Sequence, residues 1–206
     1  MNEGGADRLY ESVVDAVKQA SKAYTKDKSG KTLKSGKTLL FDVCCGTGSI
    51  GLTCIDQGAC DMVVGVDISE PAIENARENA VLNGRSGSEC RFVAGRAELV
   101  MKDEIRKALG EVETSKVKNF VAVVDPAREG LHKDVLKALR NTKEIDTIVY
   151  VSCNPTKSLV RDSGSLCGPV TKEKSGRPFV VKSAQPVDMF PLTEHAEMIM
   201  VFERSE

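Results

Sequence analysis

From Thr38 onward, short β-rich runs alternate with segments of helical periodicity, and this alternation constrains the fold more than any single motif. The runs Thr38–Val43, Met62–Asp67, Cys90–Ala94, Phe120–Asp125 and Thr147–Ser152 are each followed by a helical pattern. Those patterns begin at Ser49 and at Pro71, cover Glu98–Leu109 and Lys133–Arg140, and lie near Thr156–Asp162. Strand, helix and strand in succession make a crossover unit, so the order predicts a parallel sheet covered on both faces. The last two runs, Phe179–Val187 and Ala196–Glu203, follow one another without a helix between them. A connection through Asp188–Thr193 is too short for a crossover, so these two strands are predicted to form an antiparallel hairpin. The expected fold class is α/β, a doubly wound, mostly parallel sheet of seven strands closed by that hairpin.

The front of the chain is different. Leu9, Val13, Val14, Ala16 and Val17 recur at helical spacing and predict an amphipathic helix over Asp7–Ala23. Between Lys26 and Lys37 the sequence turns polar and nearly repeats itself around two Gly-Lys-Thr triplets, which suggests a flexible loop. Neither triplet is a P-loop, because Thr25 and Lys31 stand where the leading glycine is required. Residues 1–37 are therefore expected to be a helix and loop in front of a catalytic domain over 38–206. A second exposed loop is expected over Ser163–Arg177, which is rich in Gly, Ser and Lys.

The first strand runs into Asp42-Val43-Cys44-Cys45-Gly46-Thr47-Gly48-Ser49-Ile50-Gly51, and the next strand ends at Asp67. This is G-x-G-x-x-G with its acidic partner. The glycines allow a sharp turn and close backbone approach to a ligand, and a carboxylate at the second strand end can accept bonds from ribose hydroxyls. The pattern fits a nicotinamide or flavin dinucleotide and S-adenosylmethionine alike, and a purely structural tight turn is the bland alternative. Asp42 tilts the reading toward S-adenosylmethionine, since a carboxylate there suits a zwitterionic methionine end and would repel a pyrophosphate. Ser69 is the better N-cap for the helix at Pro71, which leaves Asp67 for the ribose.

Two further motifs sit at carboxyl ends of strands, where doubly wound folds bind ligands: Asp125-Pro126-Ala127-Arg128-Glu129-Gly130 and Ser152-Cys153-Asn154-Pro155. With the terminal Asp188-Met189-Phe190-Pro191-Leu192-Thr193-Glu194-His195-Ala196-Glu197, they make a set that resembles the RNA (uracil-5-)-methyltransferase family, its eukaryotic tRNA members in particular. The resemblance runs from Thr38 to Arg204. It implies a Rossmann-like, S-adenosylmethionine-dependent methyltransferase fold and an enzyme that makes 5-methyluridine in RNA, with tRNA as the expected substrate. Cys153 matches the family's nucleophile, which adds to carbon 6 of uracil, and Glu197 matches the base that removes the carbon 5 proton. The cofactor residues carried over are Cys44, Gly46, Ser49, Asp67 and Asp125.

The chain also departs from the family. Cys44 replaces a bacterial Tyr, so it offers shape or backbone instead of a stacking ring, and Arg96 stands where methyltransferases often carry an Asp for the adenine amine. Family members carry a Phe-Gln-x-Asn segment before the first helix, and this sequence begins after it. Arg128 is read as a phosphate or carboxylate partner, and His195 either orients substrate or Glu197 or is simply structural.

Bulk composition bounds the rest. With 29 Lys and Arg against 30 Asp and Glu, and only three Tyr, six Phe and no Trp, the chain has little means of gripping RNA by counterion release or stacking. Weak RNA affinity is expected for this piece alone, as for the catalytic part of a longer protein. No apolar run approaches the roughly 20 residues of a membrane span, and no signal-peptide core follows Met1. An intracellular, mainly cytoplasmic location is expected. Seven cysteines without a C-x-x-C pair, and two histidines, point to free thiols and no metal. Two other function classes compete with the methyltransferase reading. A dinucleotide-dependent oxidoreductase would leave Cys153 and Glu197 unexplained, and a non-catalytic RNA-binding or chaperone module would keep the fold without turnover.

Overall fold

The computed structural model describes residues 3–21, 24–26, 32–34, 36–85, 87–111 and 117–205. Its main element is a seven-stranded sheet built from β3 (Lys37–Val43), β4 (Met62–Asp67), β5 (Cys90–Ala94), β6 (Val117–Val124), β7 (Thr147–Ser152), β8 (Phe179–Val187) and β9 (Glu197–Arg204). The strand order is β5-β4-β3-β6-β7-β9-β8, with β9 antiparallel to both β7 and β8 and the other pairs parallel. The expected doubly wound sheet with its terminal hairpin is thus observed.

Strand alternation builds two cores. In β3, Leu40 faces one cluster while Leu39, Phe41 and Val43 face the other. The first face is covered by α1 (Glu3–Ala20), α2 (Ser49–Asp56) and α3 (Glu70–Leu82), and the second by α4 (Ala97–Glu111), α5 (Lys133–Asn141) and α6 (Ser158–Cys167). Central strands buried on both sides explain the near-continuous Val, Ile and Leu runs of the sequence. The N-terminal helix starts one turn earlier than its periodicity suggested and lays Val13, Val14 and Val17 onto the first core. Just past its end, the Ser21 and Thr38 hydroxyls meet at 2.6 Å, tying α1 to the start of β3.

One expectation about loops is corrected, and a second is corrected only at its start, its residues 169–173 being exposed as expected. Within the polar segment, β1 (Tyr24–Lys26) pairs with β2 (Thr32–Lys34) as an antiparallel hairpin, whereas residues 27–31 and 35 of the expected loop lie outside the described residues. The expected exposed loop over Ser163–Arg177 loses its first residues to α6. The fully buried guanidinium of Arg140 ties the remainder to that helix, donating to the carbonyls of Ser165 and Leu166 in the last turn of α6 and of Gly168 and Gly176 beyond it. One arginine at the end of α5 thus replaces the secondary structure that this stretch lacks.

Chain direction defines the ligand crevice. From β3 the chain winds outward through β4 to β5, then returns to β6 on the other side of β3 and winds outward again. The carboxyl ends of β3 and β6 flank this switch point, where open α/β sheets receive ligands. No helix among the described residues is long and apolar enough to cross a membrane.

Candidate active site

The loop from β3 to α2 enters the left-handed region at Cys44 (φ 63), Gly46 (φ 53) and Gly48 (φ 81). Gly48 is needed twice over, for its φ and because a Cβ there would lie 2.8 Å from the Phe92 ring. Gly46 is open: nothing lies within 4 Å of the position its Cβ would take, so a ligand can approach the backbone. Gly48 caps α2 without any side-chain hydrogen bond, and Ser49 is the first, exposed residue of that helix. Asp42 takes the Gly51 amide of this first turn from below, and the first-turn amides it does not engage, with the helix dipole, favour a carboxylate.

The two acidic residues of the motif do different things. Asp67 is half-buried at the end of β4; its Oδ2 accepts from the Gly46 amide and its Oδ1 from the Ser69 amide, both at 2.9 Å. Ser69 is indeed the N-cap of α3, accepting from the Ala72 amide, yet Asp67 is not free as expected. It clamps the glycine loop and retains one lone pair on each oxygen for a further donor. Asp42 is fully buried under the loop, where its Oδ2 accepts from the Gly51 amide at 3.0 Å and its Oδ1 has no partner. Asp42 therefore braces α2 from below and influences a ligand through its field, since no surface of it is exposed for contact. Burial, with Asp125 and Asp67 adding repulsion against the bond from Gly51, lifts its carboxyl to about 7. Cys44, half-buried, is pushed up to about 12 by burial and by Asp67, Asp42 and Asp125, so its thiol stays protonated.

The reactive edge is built by register. The antiparallel β7–β9 ladder ends with Ser152 opposite Met198, so the next position sets Cys153 against Glu197. A parallel strand could not do this, because only an antiparallel strand begins at the edge where the others end. Cys153 is half-buried, and its thiol is raised by burial and by the Glu197 charge, while Arg128 pulls it down. Glu197 is buried, which raises its carboxyl. Asp125 follows β6 and keeps a face to solvent although protein crowds it on other sides; desolvation and the Glu197 charge bring it up to about 6. Cys153, Glu197 and Asp125 thus feel one another's charge, and Asp125 also couples to Asp42 and Cys44. The structure brings the expected catalytic and cofactor residues to one edge of the sheet.

Cross-bonds fix the loops that carry them. The Asn154 side chain donates to the Arg128 carbonyl at 3.1 Å, and Arg128 Nη2 lies 3.2 Å from His195 Nδ1. The turn before Glu197 is closed by Thr193 Oγ1, which donates to the Phe190 carbonyl and accepts from the His195 amide. Sequence reasoning missed the brace behind the Asp125–Gly130 loop. Asp162 of α6, fully buried, accepts from the Leu131 amide at 2.8 Å and from the Tyr150 hydroxyl at 2.7 Å, and Arg161 donates to the Glu129 carbonyl. A Cβ on Gly130 would lie 2.6 Å from Asp162 Oδ2, so the glycine of this motif admits the brace. An acidic residue among apolar positions of a helical pattern was the available signal.

Away from this edge, Arg96 pairs with Glu98 at 2.6 Å, which occupies the residue expected near the adenine. Glu98, His132 and Asp134 bring donor atoms within 4.8 Å of one another, but Glu98 is engaged by Arg96 and His132 caps α5 through the Asp134 amide. All seven cysteines are free.

Comparison with known proteins agrees with this geometry. The family model described as "Methyltransferase domain" matches residues 33–150. The chain is 41% identical over 172 residues to the Mus musculus tRNA (uracil-5-)-methyltransferase homolog B, covering 82% of this chain and 33% of that protein. It is 37% identical over 207 residues to the Homo sapiens homolog B, covering 99% of this chain and 36% of that one. The chain spans about a third of the length of these curated relatives. These similarities bear out the resemblance that the three motifs carry. Among solved structures, the M. capricolum TrmK complex with S-adenosyl-homocysteine shares the fold at a TM-score of 0.59 and 10% identity, over 95% of this chain and 68% of that one. The Synechocystis magnesium protoporphyrin IX methyltransferase with bound SAM does so at 0.60 and 14%, over 98% and 81%. The matched residues include the glycine loop, Asp67, Asp125 and the strands that define the crevice, and the chain belongs to the methyltransferase domain family.

Proposed function

We propose that this chain catalyses methylation of carbon 5 of a uridine in RNA, with tRNA as the substrate and S-adenosylmethionine as the methyl donor. The observation that carries the reading is the register that sets Cys153 against Glu197 beside the switch-point crevice. Family membership and the curated relatives' names support S-adenosylmethionine over a dinucleotide.

The residues present fit that cofactor. Gly46 offers open backbone, the uncapped end of α2 at Gly48 and Ser49 suits its carboxylate, and Asp67 has acceptor capacity left for ribose hydroxyls. Cys44 contributes its backbone and the shape of a neutral thiol, and Asp125 lines the crevice toward Cys153. When bound, the cofactor supplies an electrophilic methyl group on a sulfonium.

The chain's own residues then act in two stages. Carbon 5 of uracil is a weak nucleophile, and addition of the Cys153 sulfur to carbon 6 places electron density on carbon 5 and its carbonyl oxygen. Once carbon 5 carries its methyl group, Glu197 takes the remaining proton there, and the carbon–sulfur bond breaks to restore the ring and free the thiol. A buried carboxylate with a raised pKa is a stronger base than an exposed one, which suits Glu197 to this proton.

The test uses tRNA transcripts that contain 5-fluorouridine, together with mass mapping of nucleosides after incubation of unmodified tRNA with cofactor. A covalent protein–RNA adduct that is lost in Cys153→Ala, with 5-methyluridine as the product on ordinary tRNA, supports the reading. An adduct that persists in Cys153→Ala, or methyl groups on another atom, would overturn it.

A further inference from the structure

We infer that Arg128 is the cation that stabilises the thiolate of Cys153, and that His195, at its guanidinium, and Asn154, at its backbone carbonyl, are the positioning residues that hold it beside the Cys153 loop. The inference rests on the reading of Cys153 as the nucleophile and supplies what that reading lacks, a means of ionising the thiol.

The surroundings of Cys153 are hostile to a thiolate. Glu197 faces it from β9 and Asp125 from the loop after β6, and both oppose a further negative charge. Two influences favour the thiolate, a backbone hydrogen bond at Cys153 and the positive charge of Arg128, from the same loop as Asp125. Loss of the S–H proton to water leaves the electron pair on Sγ, and the guanidinium compensates the new charge. An arginine performs this at any pH the protein survives, because it does not deprotonate.

Two bonds place the guanidinium. The Asn154 amide holds the backbone of Arg128 at its carbonyl, which ties the Asp125–Gly130 loop to the residue next to Cys153. His195 holds the other end, with Nδ1 3.2 Å from Nη2. Arginine has only donors, so Nδ1 is the acceptor, and the ring is the neutral tautomer with its hydrogen on Nε2. A protonated His195 could not accept this bond. The three motif segments therefore meet at one residue, Arg128, through its backbone carbonyl and its guanidinium, which accounts for their joint presence in the sequence better than separate roles would.

The experiment measures alkylation of Cys153 by iodoacetamide against pH, read peptide by peptide by mass spectrometry on the chain without RNA or cofactor. Labelling of half-buried Cys44 and Cys167 serves as the control for folding. Arg128→Gln is expected to raise the midpoint for Cys153 by about one pH unit, roughly tenfold slower reaction at a fixed pH below it. Arg128→Lys recovers part of the shift, His195→Phe gives an intermediate one, and His195→Gln, which keeps an acceptor, stays near wild type. The gap between wild type and Arg128→Gln should shrink at about 1 M salt, since the guanidinium is exposed. An unchanged midpoint in Arg128→Gln overturns the inference even where 5-fluorouridine RNA still forms its adduct. A shifted midpoint with no adduct in the wild type would instead sink the uridine reading.

Discussion

Asp42 is the buried carboxyl on which the glycine loop rests, and its energetics can be read directly in a pH titration of stability. The perturbation is Asp42→Asn, which preserves an acceptor for the Gly51 amide. In the unfolded chain the carboxyl titrates near 3.8, and in the folded chain burial raises it to about 7. A folded-state pKa above the unfolded one means that the contribution to stability is greatest below 3.8 and is lost as pH rises through about 7. At 1.36 kcal/mol per unit, the whole loss is about 4 kcal/mol, and the part falling between pH 5 and pH 8 is about 3 kcal/mol. The variant carries no such titration. Its amide nitrogen, placed where Oδ1 now has no partner, costs about 1–3 kcal/mol at every pH. The variant should therefore be within about 1–2 kcal/mol of the wild type near pH 5 and the more stable protein at pH 8, the gap moving by about 3 kcal/mol in its favour. Urea unfolding followed by far-UV circular dichroism at four pH values between 5 and 8 measures the difference. The relevant quantity is the change in the wild-type minus variant gap, because titrating groups that do not couple to Asp42 cancel in it. Parallel profiles, with a gap that moves by less than about 0.5 kcal/mol, would refute the assignment of a neutral-range carboxyl to this position.

Other perturbations follow from the same geometry. Arg140→Ala would strand the carbonyls of Ser165, Leu166, Gly168 and Gly176, and a loss of at least about 3 kcal/mol is expected in denaturant titration, with faster hydrogen exchange between residues 168 and 178. Gly48→Ala combines a left-handed φ with a clash against Phe92, so it should cost at least about 1–2 kcal/mol and weaken S-adenosylmethionine binding in calorimetry. Leu192, exposed with φ 68, is relieved by Leu192→Gly, for which a gain of up to about 1 kcal/mol is expected in thermal unfolding. Glu197→Gln should still form the 5-fluorouridine adduct while 5-methyluridine release falls at least about 100-fold, and equal loss of both would remove the base assignment.

The succession of strands and the terminal hairpin were legible because crossover helices and buried parallel strands impose their own patterns, and each predicted run lies within a few residues of an observed strand. Leu39 to Val43 is an example: every second residue faces the same core, and the run reads as apolar throughout except at Asp42. The loops were less legible. Nothing in the local pattern of Ser163–Arg177 announces that Arg140, distant in sequence, supplies four bonds to it, and a polar, Gly-rich stretch gives the same signal whether or not such an anchor exists. At the site, residue types and motifs marked Cys153, Glu197, Asp67 and Asp125, but their division of labour required coordinates. Asp67 clamps the loop as well as facing the crevice, and Asp42 is sealed beneath it. The Asp162 brace lay hidden because a single acid in a helical pattern is most often a solvated one.

The antiparallel last strand is what brings Glu197 to the same edge as Cys153. Five parallel strands end at the crevice and can offer it only the residues of the loops that follow them, each leading away into a helix. A strand running the other way begins there, and its first residue is held by the ladder instead of by a loop. Glu197 is that residue, paired with Val187 on one side and set against Cys153 on the other. Its position is therefore as exact as the sheet itself. Because side chains alternate, a slip of β9 by one residue would turn Glu197 to the opposite face and present Ala196 or Met198 to the sulfur. The apolar side chains of Ile199, Val201 and Phe202, buried or half-buried between β7 and β8, oppose that slip by tying register to core packing. The juxtaposition of Cys153 and Glu197 is thus maintained by apolar residues packed into the two cores of the sheet.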